Sequence, residues 1–137
     1  MKDRILVVED NFPNMIGALA AFHNDENVED VIVIPTFKEV VEKLDEFKPT
    51  VALLDIHIIG GTGKDVGKIL KEKSIPYIYL TGISIGSGHH AKIVAIAIKY
   101  ENAKGELKTL LEINKTDKDQ EVWRAAYEKL NKIYNRK

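Results

Sequence analysis

The sequence contains no cysteine, and this absence excludes several classes of site. Without thiols the chain has no disulfide framework, no iron–sulfur cluster, no cysteine nucleophile and no zinc site built on thiolates. It also lacks any apolar run near the roughly 18–20 residues of a membrane span. The apolar run that follows Met1–Arg4 is too short for a secretory signal. We therefore expect a cytoplasmic protein.

Proline is scarce and the charges are balanced. The 137 residues include 4 prolines, 20 basic and 21 acidic side chains, and 45% are hydrophobic. A chain of this length usually forms one domain with its own core, so we expect residues 1–137 to fold as one unit. The lysines of residues 99–137 alternate with acidic side chains, which is typical of a solvated surface. A nucleic-acid interface is disfavoured, since it would need a basic stripe.

Short apolar runs alternate with amphipathic segments along the first part of the chain. The runs typical of buried strands are Ile5–Val8, Val31–Ile34, Val51–Ile56 and Tyr77–Thr81. Each of the first three is followed by residues with helical spacing, and Thr36 and Glu39 have the spacing of a capping box. A last amphipathic helix would carry Trp123. This alternation predicts an α/β fold, a doubly wound parallel sheet with helices on both faces.

The pattern changes after Thr81. Lys92–Ile98 has no helical stripe and is predicted to form a strand. Gly105 suits the left-handed position of a hairpin loop, and Leu107–Ile113 would then return antiparallel. The sequence thus predicts an extra β-hairpin at about 92–115, in place of or beside a helix.

Polar side chains end several of the predicted strands. The first strand ends in Glu9 and Asp10, the third in Asp55, the fourth in Thr81 and the last in Lys115. The carboxyl ends of parallel strands meet at one crevice, so these side chains are expected to converge. Clustered carboxylates repel one another unless a cation neutralises them, and oxygen ligands suit Mg²⁺. Magnesium in turn favours a phosphoryl group, for which Asp55 could be the nucleophile while Thr81 and Lys115 bind its oxygens.

Three motifs of this sequence resemble the receiver domain of two-component response regulators. They are the run from Ile5 to Asn11, the LLDI segment around Asp55 with Gly63 eight positions later, and the YLTG segment ending at Gly82. The resemblance covers residues 1–82 well and 110–137 loosely. It implies a flavodoxin-like sheet with the strand order 2-1-3-4-5.

The resemblance also implies roles for individual residues. Asp55 would be phosphorylated by a histidine kinase or phosphotransfer protein. Asp10 would bind Mg²⁺ directly and Glu9 through water, and Asp55 and the backbone carbonyl of His57 would also belong to the metal site. Thr81 would be the switch hydroxyl. The implied function is a stand-alone receiver, not an enzyme, with no DNA-binding domain. It would pass its signal to a downstream protein or through a homodimer.

Some positions depart from the family pattern. Where the family carries Lys-Pro, the best match is Lys115 followed by Thr116, and Glu112 stands where an aromatic residue is expected. Thr81 and Lys115 are 34 positions apart, which is more than usual, and Lys99 is a second candidate for the ammonium group. These departures motivate an alternative function, a phosphorylation-independent pseudo-receiver that acts as a protein-interaction module.

Other chemistries are disfavoured by the sequence. A small phosphatase or phosphotransferase could use Asp55 as its nucleophile, but no second acid is placed beside it as a general acid. Gly63 and Lys64 lack the spacing of a phosphate-binding loop. His89 and His90 are adjacent, and neighbouring side chains in a loop rarely converge on one ion.

Overall fold

A computed structural model of the protein describes residues 2–58, 61–85, 92–114 and 120–136. The strands in chain order are β1 (Asp3–Val8), β2 (Val28–Ile34), β3 (Val51–Asp55), β4 (His57–Ile58), β5 (Gly61–Thr62), β6 (Tyr77–Ile85), β7 (Lys92–Glu101) and β8 (Leu107–Ile113). The helices are α1 (Phe12–Phe22), α2 (Phe37–Phe47), α3 (Gly63–Glu72) and α4 (Gln120–Ile133). No helix in these described ranges is long and apolar enough to cross a membrane.

The main sheet has six strands in the order β2-β1-β3-β6-β7-β8. The strands β2, β1, β3 and β6 run parallel to one another, which confirms the α/β fold and the first four places of the predicted order. The fifth place is taken by β7, which runs antiparallel to β6, and β8 returns antiparallel outside it. The predicted hairpin is confirmed, with Gly105 in the left-handed conformation at φ 80°.

Strand β6 extends beyond its parallel neighbour β3. Its pairing with β3 stops at Leu80, whereas its pairing with β7 continues to Ile85. The chain therefore folds back as a strand after β6. The part of β6 beyond Leu80 therefore has β7 as its neighbour in the sheet.

Helices cover both faces of the sheet, as the buried apolar strands require. Helices α1 and α4 pack on one face, in a core that includes Ile5, Val7, Leu53, Leu80, Ile98 and Trp123. Helices α2 and α3 pack on the other face, in a core that includes Leu6, Val8, Leu54, Val40, Leu70 and Tyr79. Successive residues of a strand face opposite sides, which explains why β1 and β3 contribute to both cores.

Polar side chains fix where two helices begin. Thr36 accepts a hydrogen bond from the Glu39 backbone N–H at 3.2 Å, as expected at the start of α2. The predicted capping box is only half present, because the Glu39 carboxylate lies 3.5 Å from the Thr36 hydroxyl and forms no bond to the Thr36 backbone in the described residues. A complete box is formed instead by Thr62 and Asp65 at the start of α3.

Candidate functional site

Three carboxylates converge at the carboxyl edge of the parallel strands. Val8 of β1 pairs with Leu54 of β3, so Glu9, which follows Val8, is level with Asp55. The carboxylate oxygens of Glu9, Asp10 and Asp55 lie within 4.8 Å of one another. The predicted convergence of these acids is therefore seen in the structure, and it follows from the parallel pairing of adjacent strands.

Glu9 forms the buried floor of this acidic cluster, the group made by Glu9, Asp10 and Asp55. Its side chain is fully buried, and its carboxylate accepts hydrogen bonds from the backbone N–H groups of Asp10 at 3.0 Å and Asn11 at 3.3 Å. Asp10 and Asp55 are partly exposed. A cation entering from solvent would therefore meet Asp10 and Asp55 before it reached Glu9.

Backbone hydrogen bonds fix Ile56, the residue that follows Asp55. The Ile56 N–H donates to the Leu80 carbonyl at 3.2 Å, and the Gly63 N–H donates to the Ile56 carbonyl at 2.7 Å. A Cβ atom on Gly63 would lie 2.3 Å from the Asp55 carbonyl oxygen. Only glycine fits at this position without moving the backbone of Asp55, so Gly63 is part of what places that carboxylate.

Thr81 lies at the same edge of the sheet as the acidic cluster. Asp55 pairs with Leu80, and Thr81 is the next residue of β6. Its side chain is partly exposed, and Gly82 beyond it is exposed. The structure thus puts the predicted hydroxyl next to the Asp55 level of the sheet, within β6 and just beyond its last pair with β3.

The two candidate lysines occupy different positions. Lys115 lies outside the described residues, two positions after the end of β8 in the sequence. Strand β8 itself is three strand spacings from β3, or roughly 14 Å. Lys99 belongs to β7, which is two spacings from β3, or roughly 10 Å. Because Ile98 and Leu80 pack into the core beneath α1 and α4, Lys99 and Thr81 both emerge on the opposite face.

His57 is the first residue of β4, where its backbone pairs with Thr62 in a short antiparallel ladder. His57 is two positions after Asp55 in the sequence. Its predicted role as a main-chain ligand stays a prediction.

The acidic cluster has the donor chemistry of a site for a hard cation. It offers carboxylate oxygens alone, and it is the one group of three or more potential metal-binding side chains found in the described ranges. Magnesium prefers such oxygen ligands and commonly uses one or two carboxylates. The residues therefore fit Mg²⁺.

One polar pair that the sequence analysis did not identify, Tyr77 and Glu101, lies at the start of β6, away from the acidic cluster. The Tyr77 hydroxyl donates a hydrogen bond to the Glu101 carboxylate at 3.2 Å. No short motif joins these two residues, which meet only because β7 lies antiparallel to β6.

Comparisons with known proteins identify the fold. No protein-family model matches the sequence, and no curated protein matches it. Among solved structures, the signal receiver domain of a Luxo repressor protein from Vibrio parahaemolyticus is 24% identical, with a TM-score of 0.51 over 64% of this chain and 65% of that one. The chain thus spans less than two thirds of that domain's length.

Two further solved structures match with lower TM-scores. The PhyR stress response regulator is 26% identical, with a TM-score of 0.48 over 58% of this chain and 31% of that one. The signal receiver domain of the response regulator NarL from Mycobacterium tuberculosis is 23% identical, with a TM-score of 0.47 over 58% of this chain and 64% of that one. The similarity to the Vibrio parahaemolyticus domain agrees with the strand order of this chain's own sheet. The chain therefore has the fold of a response regulator receiver domain.

Proposed function

We propose that this protein is a receiver that accepts a phosphoryl group on Asp55 in a magnesium-dependent reaction of two-component signalling. The observation that carries the proposal is the convergence of the Glu9, Asp10 and Asp55 carboxylates within 4.8 Å at the carboxyl edge of a receiver-like sheet. Like charges this close destabilise one another without a cation, so the arrangement is better explained by a bound ion than by a structural role.

Bound Mg²⁺ would supply positive charge to both the carboxylates and the phosphoryl oxygens. Asp10 and Asp55, which are partly exposed, would hold it directly. Glu9 is buried and already accepts two backbone hydrogen bonds, so it would act through water. The main-chain carbonyl of His57 would complete the protein ligands.

The transfer step uses the Asp55 carboxylate as the nucleophile. One of its oxygens attacks the phosphorus of a phosphohistidine, so that a P–O bond forms while the P–N bond breaks and the imidazole leaves with a proton from solvent. Thr81 would donate a hydrogen bond from its hydroxyl to a phosphoryl oxygen, and Lys115 or Lys99 would bring an ammonium group. Recruitment of Thr81 would bias its strand between two states and so change the surface presented to a partner.

The phosphodonor is proposed to be a histidine kinase or phosphotransfer protein that docks on α1. Three large apolar side chains of this helix are strongly exposed, namely Phe12 at 70%, Ile16 at 51% and Leu19 at 48%. Their spacing puts them on one face of the helix, and contiguous exposed apolar surface is typical of a protein interface. Because α1 begins only three residues after Glu9, a protein held there could bring its phosphohistidine to Asp55.

The output is proposed to be binding of a downstream protein in the cytoplasm, through the hairpin of β7 and β8. This hairpin stands where a receiver would have its fourth helix and fifth strand, so it gives the protein a different surface next to Thr81. Self-association through the same surface is the second way to transmit the signal.

The proposal is tested by the mass of the intact protein after incubation with Mg²⁺ and acetyl phosphate. We expect a gain of one phosphoryl group that is lost in Asp55→Asn. The control variant is Asp30→Asn, which removes an exposed carboxylate on β2 and should be phosphorylated normally. Phosphorylation of Asp55→Asn at full stoichiometry would show that another residue is the acceptor.

The pseudo-receiver is favoured by one observation, the antiparallel β7 in the fifth place of the sheet. If this strand prevents the ammonium group from reaching Asp55, the protein would bind its partner without phosphorylation. A folded, magnesium-binding protein that gains no mass from acetyl phosphate, while a control receiver does, would support this second function.

A further inference from the structure

A separate cavity lies at the end of the molecule opposite the acidic cluster. It has a volume of about 370 Å³ and lies between the end of α3, the beginning of β6, the end of β7 and the residues after α4. Its lining includes Lys71, Ile75, Pro76, Tyr77, Glu101 and Tyr134. We call it the tyrosine cavity. Its size is within the roughly 300–1,000 Å³ range of small-molecule sites.

Glu101 gives this cavity an anionic wall. Its side chain is partly buried and accepts a hydrogen bond from the Tyr77 hydroxyl at 3.2 Å. No Lys, Arg or His of the described residues lies within ion-pair distance of it, although Lys71 lines the same cavity. A partly buried carboxylate with only a neutral donor remains attractive to a cation.

Two aromatic rings lie in the field of this carboxylate. Burial raises the pKa of Tyr77, and the negative charge of Glu101 raises it further. Burial likewise raises the pKa of Tyr134, and Glu101 adds to that effect. The Tyr134 hydroxyl donates to the Tyr77 carbonyl at 3.3 Å, which fixes the Tyr134 ring in the lining of the cavity. Both rings and the carboxylate therefore favour positive charge in the same space.

We propose that the tyrosine cavity binds a small organic cation, an alkylammonium or quaternary ammonium compound. The Glu101 carboxylate would neutralise the charge, the ring faces of Tyr77 and Tyr134 would contact the alkyl groups next to the nitrogen, and Ile75 and Pro76 would cover the rest. An inorganic cation is a poorer fit, because a lining with one carboxylate, the ammonium group of Lys71 and several apolar groups cannot replace its water shell.

This site is independent of the proposed phosphorylation. Tyr77 begins β6, whereas Thr81 lies further along the strand at the edge that carries Asp55. Binding of the cation therefore should not require a working acceptor, and Asp55→Asn should bind it as well as the unmodified protein does.

The test is an NMR titration of the full chain with choline and with its neutral isostere 3,3-dimethylbutanol. We expect choline to shift the signals of Tyr77, Glu101 and Tyr134. The isostere should bind at least about tenfold more weakly, because it lacks the charge that interacts with Glu101. Glu101→Gln keeps an acceptor for the Tyr77 hydroxyl and should weaken choline binding by about tenfold. Glu128→Gln, an exposed change on α4 outside the cavity, should leave it unchanged.

Several results would overturn the proposal. One is the absence of choline binding at millimolar concentration. Others are equal binding of choline and 3,3-dimethylbutanol, or an unchanged affinity in a folded Glu101→Gln. A second variant, Tyr134→Leu, removes a partly exposed ring and should also weaken choline binding. Retention of full affinity in this variant would place the cation elsewhere.

Discussion

The guanidinium of Arg136 forms a two-pronged ion pair with the carboxylate of Asp3. Arg136 Nη2 lies 2.5 Å from Asp3 Oδ1 and Nη1 lies 3.2 Å from Oδ2, although the residues are 133 positions apart. The Thr50 hydroxyl donates to the same carboxylate at 2.8 Å, and the Tyr127 hydroxyl also donates to it. Asp3 is only 7% exposed, so this carboxylate joins β1 to α4 in a nearly buried network.

Asp3→Asn is expected to destabilise the protein in a pH-dependent way. Burial alone would raise the pKa of Asp3, but hydrogen bonds from Arg136, Tyr127 and Thr50 outweigh it and lower the pKa. The ionised carboxylate therefore stabilises the fold above its unfolded-state pKa of about 3.9, and this contribution is lost as pH falls through the folded-state pKa. We expect a loss of about 2–4 kcal/mol at neutral pH.

Urea unfolding at neutral pH and at decreasing acid pH measures this effect. The difference between Asp3→Asn and the unmodified protein should begin to shrink as pH falls below about 3.9, where the unfolded chain takes up the proton. It should be smallest below the lower folded-state pKa of Asp3, where this side chain is uncharged in both states. Asp30→Asn, which changes an exposed carboxylate, should show little difference at any pH. A constant difference across this pH range would mean that the charge of Asp3 is not what stabilises the fold.

The parallel part of the fold could be predicted because its signals are local. The buried runs of β1, β2, β3 and β6 alternate with three helical patterns, and right-handed crossovers leave few ways to arrange them. Glu9, Asp10 and Asp55 could be placed together for the same reason, since strand ends of one parallel sheet share an edge. The resemblance to a receiver domain was recognisable from these strand ends and from Gly63.

The remaining features depend on contacts that leave no local pattern. The length of β6 beyond Thr81 is set by its pairing with β7. The sequence of a strand does not show which other strand will form hydrogen bonds along its free edge. Asp3 and Arg136 meet because the chain after α4 returns to the start of β1. The Thr62–Asp65 capping box did have a sequence signal, a Thr followed three positions later by an acid, and it was overlooked.

Gly63→Ala is expected to disturb the phosphorylation site as well as the fold. Its Cβ atom would lie 2.3 Å from the Asp55 carbonyl oxygen, so the backbone at Asp55 must move. We expect a loss of about 1–3 kcal/mol in the free energy of unfolding and slower phosphoryl uptake from acetyl phosphate. Urea unfolding and intact-protein mass measure these two effects.

Gly67→Ala is the matched control for this steric effect. Its Cβ atom would lie 2.1 Å from the Tyr79 hydroxyl, in the core beneath α3 and away from Asp55. This variant should also lose stability but should keep the rate of phosphoryl uptake in the folded protein. If both variants slowed uptake equally, the effect would be one of general destabilisation.

Asp10→Asn is expected to remove most of the stabilisation that Mg²⁺ gives. An ion bound only by the folded state raises the free energy of unfolding by about 2.7 kcal/mol at a concentration one hundred times its dissociation constant. Thermal unfolding with increasing Mg²⁺ should therefore raise Tm for the unmodified protein and for Asp30→Asn, but much less for Asp10→Asn. An equal rise in all three would place the bound Mg²⁺ outside the acidic cluster.

Lys99→Met is expected to slow phosphoryl uptake more than Lys115→Met does. The strand that carries Lys99 is two spacings from β3, and that lysine emerges on the same face as Thr81, whereas β8 is a further spacing away. An ammonium group that neutralises developing charge on the phosphoryl oxygens is commonly worth about 10–100-fold in rate.

The rate of mass gain from acetyl phosphate in the two variants compares these lysines directly. Methionine keeps much of the apolar stem of the side chain, so loss of the charge is the main change in each variant. A slow Lys115→Met beside a normal Lys99→Met would contradict the prediction. It would make Lys115 the lysine that assists phosphoryl transfer to Asp55.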